Sequence, residues 1–337
     1  MPLNTKTIAL HLFRYAGLFR FANLIYKSHI RILAYHRFWE GYITPQSFES
    51  QIKYLKRHFN TIKLESYLDF LLRKKELPPN SVIITVDDGY QDFYNIVFPI
   101  LRKYAVPATV FLTVDFIDKG IWLWHDLLNF GISNTSRADF TLNGKVFDLT
   151  NRRGRAELKL SLDGICTSCT TAGRDEFISQ VLKELGVTAP EHATPDYAPL
   201  TWNQILEMSG SGVSYGSHTC THPILSKISL NEALQEIQES KHRIEEVMQR
   251  DILTFCYPNG KEDDFNEKIK EMVRECGYIC AMSMIYGMND SESDRYELRR
   301  IGTESKSFAH FVQDVSGFGV LRASLRQIKI KNTQIQT

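Results

Sequence analysis

The chain has 337 residues, 43% of them apolar and 23% charged, with 40 basic against 39 acidic side chains and a formal net charge of +1. That length holds one large α/β domain or two small ones, and the composition excludes disorder over most of it. So even a charge balance argues against a nucleic-acid binder, which carries a strong basic excess.

Residues 1–30 come first, as an N-terminal helical segment. Leu10, Leu12, Phe13, Leu18, Phe19, Phe21, Leu24 and Ile25 are interrupted by Arg14, Arg20 and Lys27. The arginines break a signal-peptide core, and no run reaches the about 18 apolar residues of a membrane span. The spacing predicts an amphipathic helix, packed on the outside of the domain or, over residues 8–27, lying on an anionic membrane surface. With no signal sequence seen, the expected location is the cytoplasm, with peripheral contact at the inner membrane face.

The domain itself is expected over residues 31–325. Strands are predicted at Ile32–Tyr35, Val82–Val86, Ala108–Val114, Gly212–Tyr215, Ile252–Cys256 and Tyr278–Met282, with helical patterns between them. Pro45 after Thr44 reads as a first helical residue, and Thr201 with Gln204 and Ser229 with Glu232 read as capping boxes. Such alternation implies a mainly parallel sheet or barrel. It fades over about residues 115–198, where Asn143-Gly144 marks a hairpin among helices, so an α+β insertion within one domain is expected. Residues 326–337 read as a polar tail. Of the six cysteines, Cys166 and Cys169 form a C-x2-C pair without the second pair a zinc finger needs; reduced thiols are expected.

Four clusters carry chemistry. Thr85-Val86-Asp87-Asp88-Gly89 follows a buried strand, where two carboxylates repel unless a cation relieves them. Neighbours in a strand face opposite ways, so the chain must bend near Asp87 if both serve one site, and Gly89 allows that. His218-Thr219-Cys220-Thr221-His222-Pro223 follows another strand; two imidazoles with a carboxylate suit zinc or a similar first-row metal. Pro223 biases His222 toward a tight loop. Tyr257-Pro258-Asn259-Gly260 is a turn able to aim a backbone N–H at a developing oxyanion. His36, after Tyr35 at the end of the first strand, is a candidate general acid.

These motifs resemble those of the polysaccharide deacetylases, the group with a NodB-type domain also called carbohydrate esterase family 4. The Asp87-Asp88 and His218–His222 clusters resemble its first and second motifs, and Tyr257–Gly260 a variant of its third. The resemblance implies a distorted, incomplete (β/α) barrel of about seven parallel strands. It implies Asp87 as catalytic base, Asp88, His218 and His222 as metal ligands, and the Asn259 N–H as oxyanion donor. The metal would be zinc, with cobalt or nickel as alternatives. The arginine usual two residues before the third motif's proline is replaced by Cys256, and Arg299 or Arg300 is a candidate to orient the base instead. No late leucine-x-histidine motif is evident. Tyr35-His36 resembles the early pair of the permuted biofilm-polysaccharide deacetylases, which assigns the acid role to His36.

The implied activity is metal-dependent removal of N-acetyl groups from a polysaccharide, oligosaccharide or sugar-lipid, with the N-acetylated glycan as partner. Tyr257, Pro258, Trp122, Trp124, His125 and Arg300 are candidate substrate contacts, the tryptophans by stacking on sugar rings or else packing in the core. Two alternatives stay open: the same fold hydrolysing a non-sugar amide, and a glycan-binding module without catalysis.

Overall fold

The computed structural model describes residues 17–39, 43–303 and 307–322. Residues 1–16 of the amphipathic segment and the tail at 326–337 therefore lie outside the described residues. The segment's inner part is helix α1 (Leu18–Ile25), which buries Phe19 and Ala22 and leaves Leu18, Phe21, Leu24 and Ile25 exposed.

Seven parallel strands form the centre: β1 (Arg31–Tyr35), β3 (Ser81–Val86), β4 (Ala108–Leu112), β7 (Val213–Ser217), β8 (Thr254–Cys256), β9 (Cys280–Tyr286) and β10 (Leu298–Gly302). They pair in the order β1-β10-β9-β8-β7-β4-β3, and β3 pairs back with β1 from Arg31↔Val82 to Tyr35↔Val86. The ring thus closes with seven strands, where a full (β/α) barrel has eight. It is uneven: β7 meets β8 at Ser217↔Phe255 alone, and the β9–β10 register shifts between Leu298 and Arg300. The two-residue strand β2 (Asn60–Thr61) extends the edge of β3.

Every residue of β1, β3 and β4 is buried, because helices cover the outside while side chains fill the inside. The period of two separates the faces. Leu33, Tyr35, Val82, Ile84, Val110 and Leu112 join the large outer core. Ile32, Ile83, Phe111, Cys256, Cys280, Met282 and Leu298 form an inner cluster. Gly216 has no side chain because a Cβ there would lie 2.4 Å from the Phe111 ring.

The helices in the gaps are α2 (Pro45–His58), α3 (Leu64–Arg73), α4 (Phe98–Tyr104), α5 (Val114–Lys119), α9 (Trp202–Ser209), α10 (Leu230–Met248), α11 (Glu267–Glu275) and α12 (Phe308–Val315). Thr44 caps α2 ahead of Pro45, and Thr201 and Ser229 form complete capping boxes on α9 and α10, as their spacing predicts. Between α5 and α9 the chain leaves the ring to form α6 (Trp124–Asn134), the hairpin β5 (Asp139–Leu142) and β6 (Lys145–Asp148), α7 (Arg152–Ser168) and α8 (Thr171–Leu185). These pieces share their own core of Leu128, Phe140, Phe147, Leu158, Leu162, Ile178 and Val181. All six cysteines are free thiols. Among the described residues, no helix is long and apolar enough to cross a membrane.

Candidate active site

Parallel strands put all their C-terminal ends on one rim, so residues just past those ends converge. His36 follows β1, Asp87 and Asp88 follow β3, His218 follows β7, and Asn259 lies three residues past β8. All five line one cavity of about 330 Å³, with Arg37, His125, Asp126, His222, Tyr257, Lys261 and Met284.

The bend expected after β3 is present. The Asp87 N–H still bonds the Tyr35 carbonyl at 2.9 Å, after which Asp88 and Gly89 turn left-handed at φ 74° and 89°. Thr219, His222 and Asn259 are also left-handed, at φ 69°, 60° and 57°. Non-glycine residues hold such angles at a cost of about 1–3 kcal/mol each, and they gather at functional sites. Hydrogen bonds hold the strained His218–His222 loop. Val114 and Asp115 donate to its Thr219 and Cys220 carbonyls. Glu236 of α10 accepts from the Cys220 and Thr221 N–H groups at 2.7 and 3.0 Å, and from the Thr221 hydroxyl at 2.6 Å.

The turn after β3 sends the two carboxylates to different neighbours. Asp88 Oδ1 lies 3.5 Å from His218 Nε2 and 3.4 Å from His222 Nε2, and all three residues are buried. The Nδ1 of His218 is 2.7 Å from the Cys256 carbonyl, which can only accept, so this nitrogen carries the hydrogen and Nε2 keeps its lone pair. Burial pulls His218 down to about 4, against the pull of Asp87, and holds His222 well below the ordinary imidazole value. Two neutral imidazoles and a carboxylate are the donor set of an open catalytic metal site, so these residues fit a bound first-row divalent ion. Asp87, His218 and Cys256 also lie close enough to share an ion. That set fits less well: burial keeps the Cys256 thiol protonated, and Asp87 is already paired.

The partner of Asp87 is Arg300 of β10, which lies beyond β1 from β3. Its guanidinium donates to Asp87 Oδ1 and Oδ2 at 2.8 and 2.7 Å, to the Ser283 carbonyl at 2.7 Å and to Thr85 Oγ1 at 3.1 Å. Burial favours the neutral acid, but the charge and hydrogen bonds of Arg300 outweigh it and hold Asp87 well below the usual carboxylate range. Cys256 lies beside the pair, its Sγ 3.1 Å from the guanidinium and 3.6 Å from Asp87. A short thiol at this position leaves room for an arginine arriving from β10. His36 Nε2 stands 3.5 Å from Asp87 Oδ2, with its side chain 30% exposed.

The other candidates fall in different places. Arg300 lies behind Asp87 and is not among the residues lining the cavity, and neither are Pro258, Trp122 and Trp124. Trp122 donates to the Pro190 carbonyl at 2.9 Å and packs on Phe130 and Tyr197, while Trp124 joins the core of the inserted segment. Tyr257 lines the cavity, but its ring stacks on Phe265 at 4.1 Å and its hydroxyl bonds the Tyr296 carbonyl. The Asn259 N–H has no acceptor among the described residues. His125 does line the cavity, and Arg37, Asp126, Lys261 and Met284, which sequence patterns did not single out, join it.

The polysaccharide deacetylase family profile matches residues 74–134 and 166–281, more than half of the chain. A putative polysaccharide deacetylase, YxkH of Bacillus subtilis, is 20% identical over 292 residues, covering 84% of this chain and 76% of that protein. A poly-β-1,6-N-acetyl-D-glucosamine N-deacetylase of Staphylococcus aureus is 35% identical over 124 residues, covering 28% of this chain and 41% of that protein. In fold, the chain resembles the deacetylase PplD of Streptococcus pyogenes, with TM-score 0.58 and 18% identity over 85% of this chain and 98% of the other. It also resembles IcaB of Ammonifex degensii, with TM-score 0.56 and 17% identity over 85% and 97%. The chain belongs to the polysaccharide deacetylase family, hydrolases of non-peptide carbon–nitrogen bonds that remove N-acetyl groups.

Proposed function

We propose that this chain deacetylates an N-acetylglucosamine-containing glycan with zinc held by Asp88, His218 and His222, cobalt or nickel being able to replace it. The observation that carries this reading is the buried Asp88–His218–His222 set beside the separately paired carboxylate of Asp87. The names of the staphylococcal relatives make a β-1,6-linked oligomer the first substrate to try.

The bound ion would supply a Lewis acid for the acetyl carbonyl and a water of lowered pKa. The chain's residues do the rest. Asp87 takes the proton of the attacking water, and Arg300 holds its carboxylate in one orientation. The Asn259 N–H faces the oxygen that gains charge as the carbonyl carbon becomes tetrahedral. His36, partly exposed at the cavity, gives its proton to the departing sugar amine. The exposed Leu18, Phe21, Leu24 and Ile25 beside Arg20 and Lys27 support peripheral contact with an anionic membrane surface, which would suit a cytoplasmic enzyme acting on a lipid-linked precursor.

The test is acetate release from a β-1,6-linked N-acetylglucosamine oligomer by zinc-loaded protein, beside Asp87→Asn and His218→Ala. Release by the wild type that both variants lose is the expected result. No release with zinc bound would move the reading to another amide substrate.

A further inference from the structure

The inserted segment places two residues on the cavity wall that the reaction above does not use, His125 and Asp126 at the start of α6. Both meet Tyr90, which directly follows the Asp87-Asp88-Gly89 bend. The Tyr90 hydroxyl donates to Asp126 Oδ2 at 2.6 Å and stands 3.0 Å from His125 Nε2. A phenol has one proton. Once it is given to the carboxylate, the Tyr90 oxygen can only accept from His125, so Nε2 must carry the imidazole hydrogen.

Arg37 holds this frame in place. Its guanidinium is 3.9 Å from the centre of the Tyr90 ring and 3.7 Å from that of Trp39. It donates to Asp92 Oδ2 at 2.9 Å and lies 3.7 Å from Asp126 Oδ1. With the hydrogen held on Nε2 by the Tyr90 oxygen, the neutral imidazole tautomer is the one this frame selects. Nδ1 is then a bare lone pair. It has no hydrogen bond to a described residue, while the side chain is 24% exposed and its ring centre lies 5.5 Å from that of His222.

A fixed acceptor beside a metal-ligand histidine calls for a donor on the ligand. Of the N-acetyl substituent, the methyl and the carbonyl oxygen do not donate, and the amide N–H sits on the leaving nitrogen assigned above to His36. The sugar ring next to it carries hydroxyls. We infer that His125 Nδ1 accepts a hydrogen bond from a hydroxyl of the acetylated sugar, with Tyr90, Asp126 and Arg37 as positioning residues that set its tautomer. The inserted segment thus reads the sugar while the barrel rim attacks the amide. The inference rests on the deacetylase reading for the identity of the ligand.

Two measurements on zinc-loaded protein decide it. Long-range proton–nitrogen NMR is expected to show His125 neutral with hydrogen on Nε2, and its Nδ1 signal moving when the N-acetylglucosamine oligomer is added. Tyr90→Phe should populate both tautomers. A hydrogen on Nδ1, or an Nδ1 signal that ignores the oligomer, overturns the inference.

The second measurement compares wild type and His125→Phe on oligomers lacking one ring hydroxyl at a time. Removing the hydroxyl that His125 reads should cost the wild type roughly tenfold in kcat/KM, mostly through KM, and cost His125→Phe nothing further. His125→Asn, which keeps an acceptor near the Nδ1 position, should recover part of the loss. Additive losses for every hydroxyl, or a fall in zinc content in His125→Phe, would make the ring a structural support and sink the inference. If the wild type released no acetate from any sugar, the deacetylase reading would fall, and the NMR response to the oligomer would decide His125 alone.

Discussion

Replacing Arg300 by Met gives the sharpest test of how the Asp87 carboxylate is held. Arg300 is 1% exposed, and Asp87 is as deeply buried. Met has a similar length and leaves no charge, so the variant strands the Asp87 carboxylate with His36 Nε2 at 3.5 Å and the weakly donating Cys256 thiol at 3.6 Å. Breaking a buried pair from one side costs about 3–5 kcal/mol, because the remaining charge keeps its desolvation penalty. At about 2 °C per kcal/mol for a chain of this size, the melting temperature should fall by roughly 6–10 °C.

The double variant Arg300→Met with Asp87→Asn removes the stranded charge and should recover about 2 kcal/mol or more. Urea unfolding of metal-free protein measures both, and pH supplies a check. The folded pKa of Asp87 is depressed in the wild type, so its stabilisation is complete above the unfolded value of about 3.9 and is lost as pH falls through the folded one. In Arg300→Met burial acts without the guanidinium and raises that pKa, so the variant gains stability as pH falls. The gap between the two should therefore narrow from pH 7 to pH 4. A loss under about 1 kcal/mol, or a double variant no more stable than the single, would refute the argument.

Other outcomes follow from the same geometry. Burial raises Asp126 to about 6, so its contribution is present below the unfolded value and is lost as pH rises through 6. Asp126→Asn should be about 1–3 kcal/mol more stable than wild type at pH 8, with the advantage gone at pH 4, as read by urea midpoints. His36→Gln should lower kcat by about 10²–10³-fold with zinc content unchanged; equal loss of zinc would make His36 a structural residue. Glu236→Ala removes three hydrogen bonds that hold the loop between His218 and His222. It should weaken zinc binding about 10–100-fold in a competition titration, and unchanged affinity would show that the loop is held without it.

Much of this protein was legible in the order of its residues. The strands β1, β3 and β4 read as mainly apolar, β-rich runs because the ring buries both of their faces. The Asp87-Asp88 bend, the His218–His222 loop and the capping boxes of α9 and α10 are local, each set by a few neighbouring residues and their backbone angles. Parallel strands bring such local motifs to one rim whatever the loops between them do.

What only the tertiary structure decided spans long separations or depends on which way a side chain turns. β10 was hidden because Arg299 and Arg300 interrupt its apolar pattern, and a buried arginine is tolerated there only because Asp87, 213 residues away, faces it. The register of closure decided that Arg300, not Arg299, points inward, with Arg299 left on the exposed face of the strand. The sequence offered Trp122, Trp124 and His125 for a sugar groove, with the core as the other place for the tryptophans; the start of α6 turns Trp124 into the insertion core and leaves His125 on the cavity wall. Tyr257 follows its strand into the right turn, but its ring goes to the core because Phe265 and the Tyr296 carbonyl satisfy it there. Sequence patterns carry the chemistry available at each strand end. Closure of the ring selects which of those groups meet, since that requires charges and hydrogen bonds to be satisfied across it.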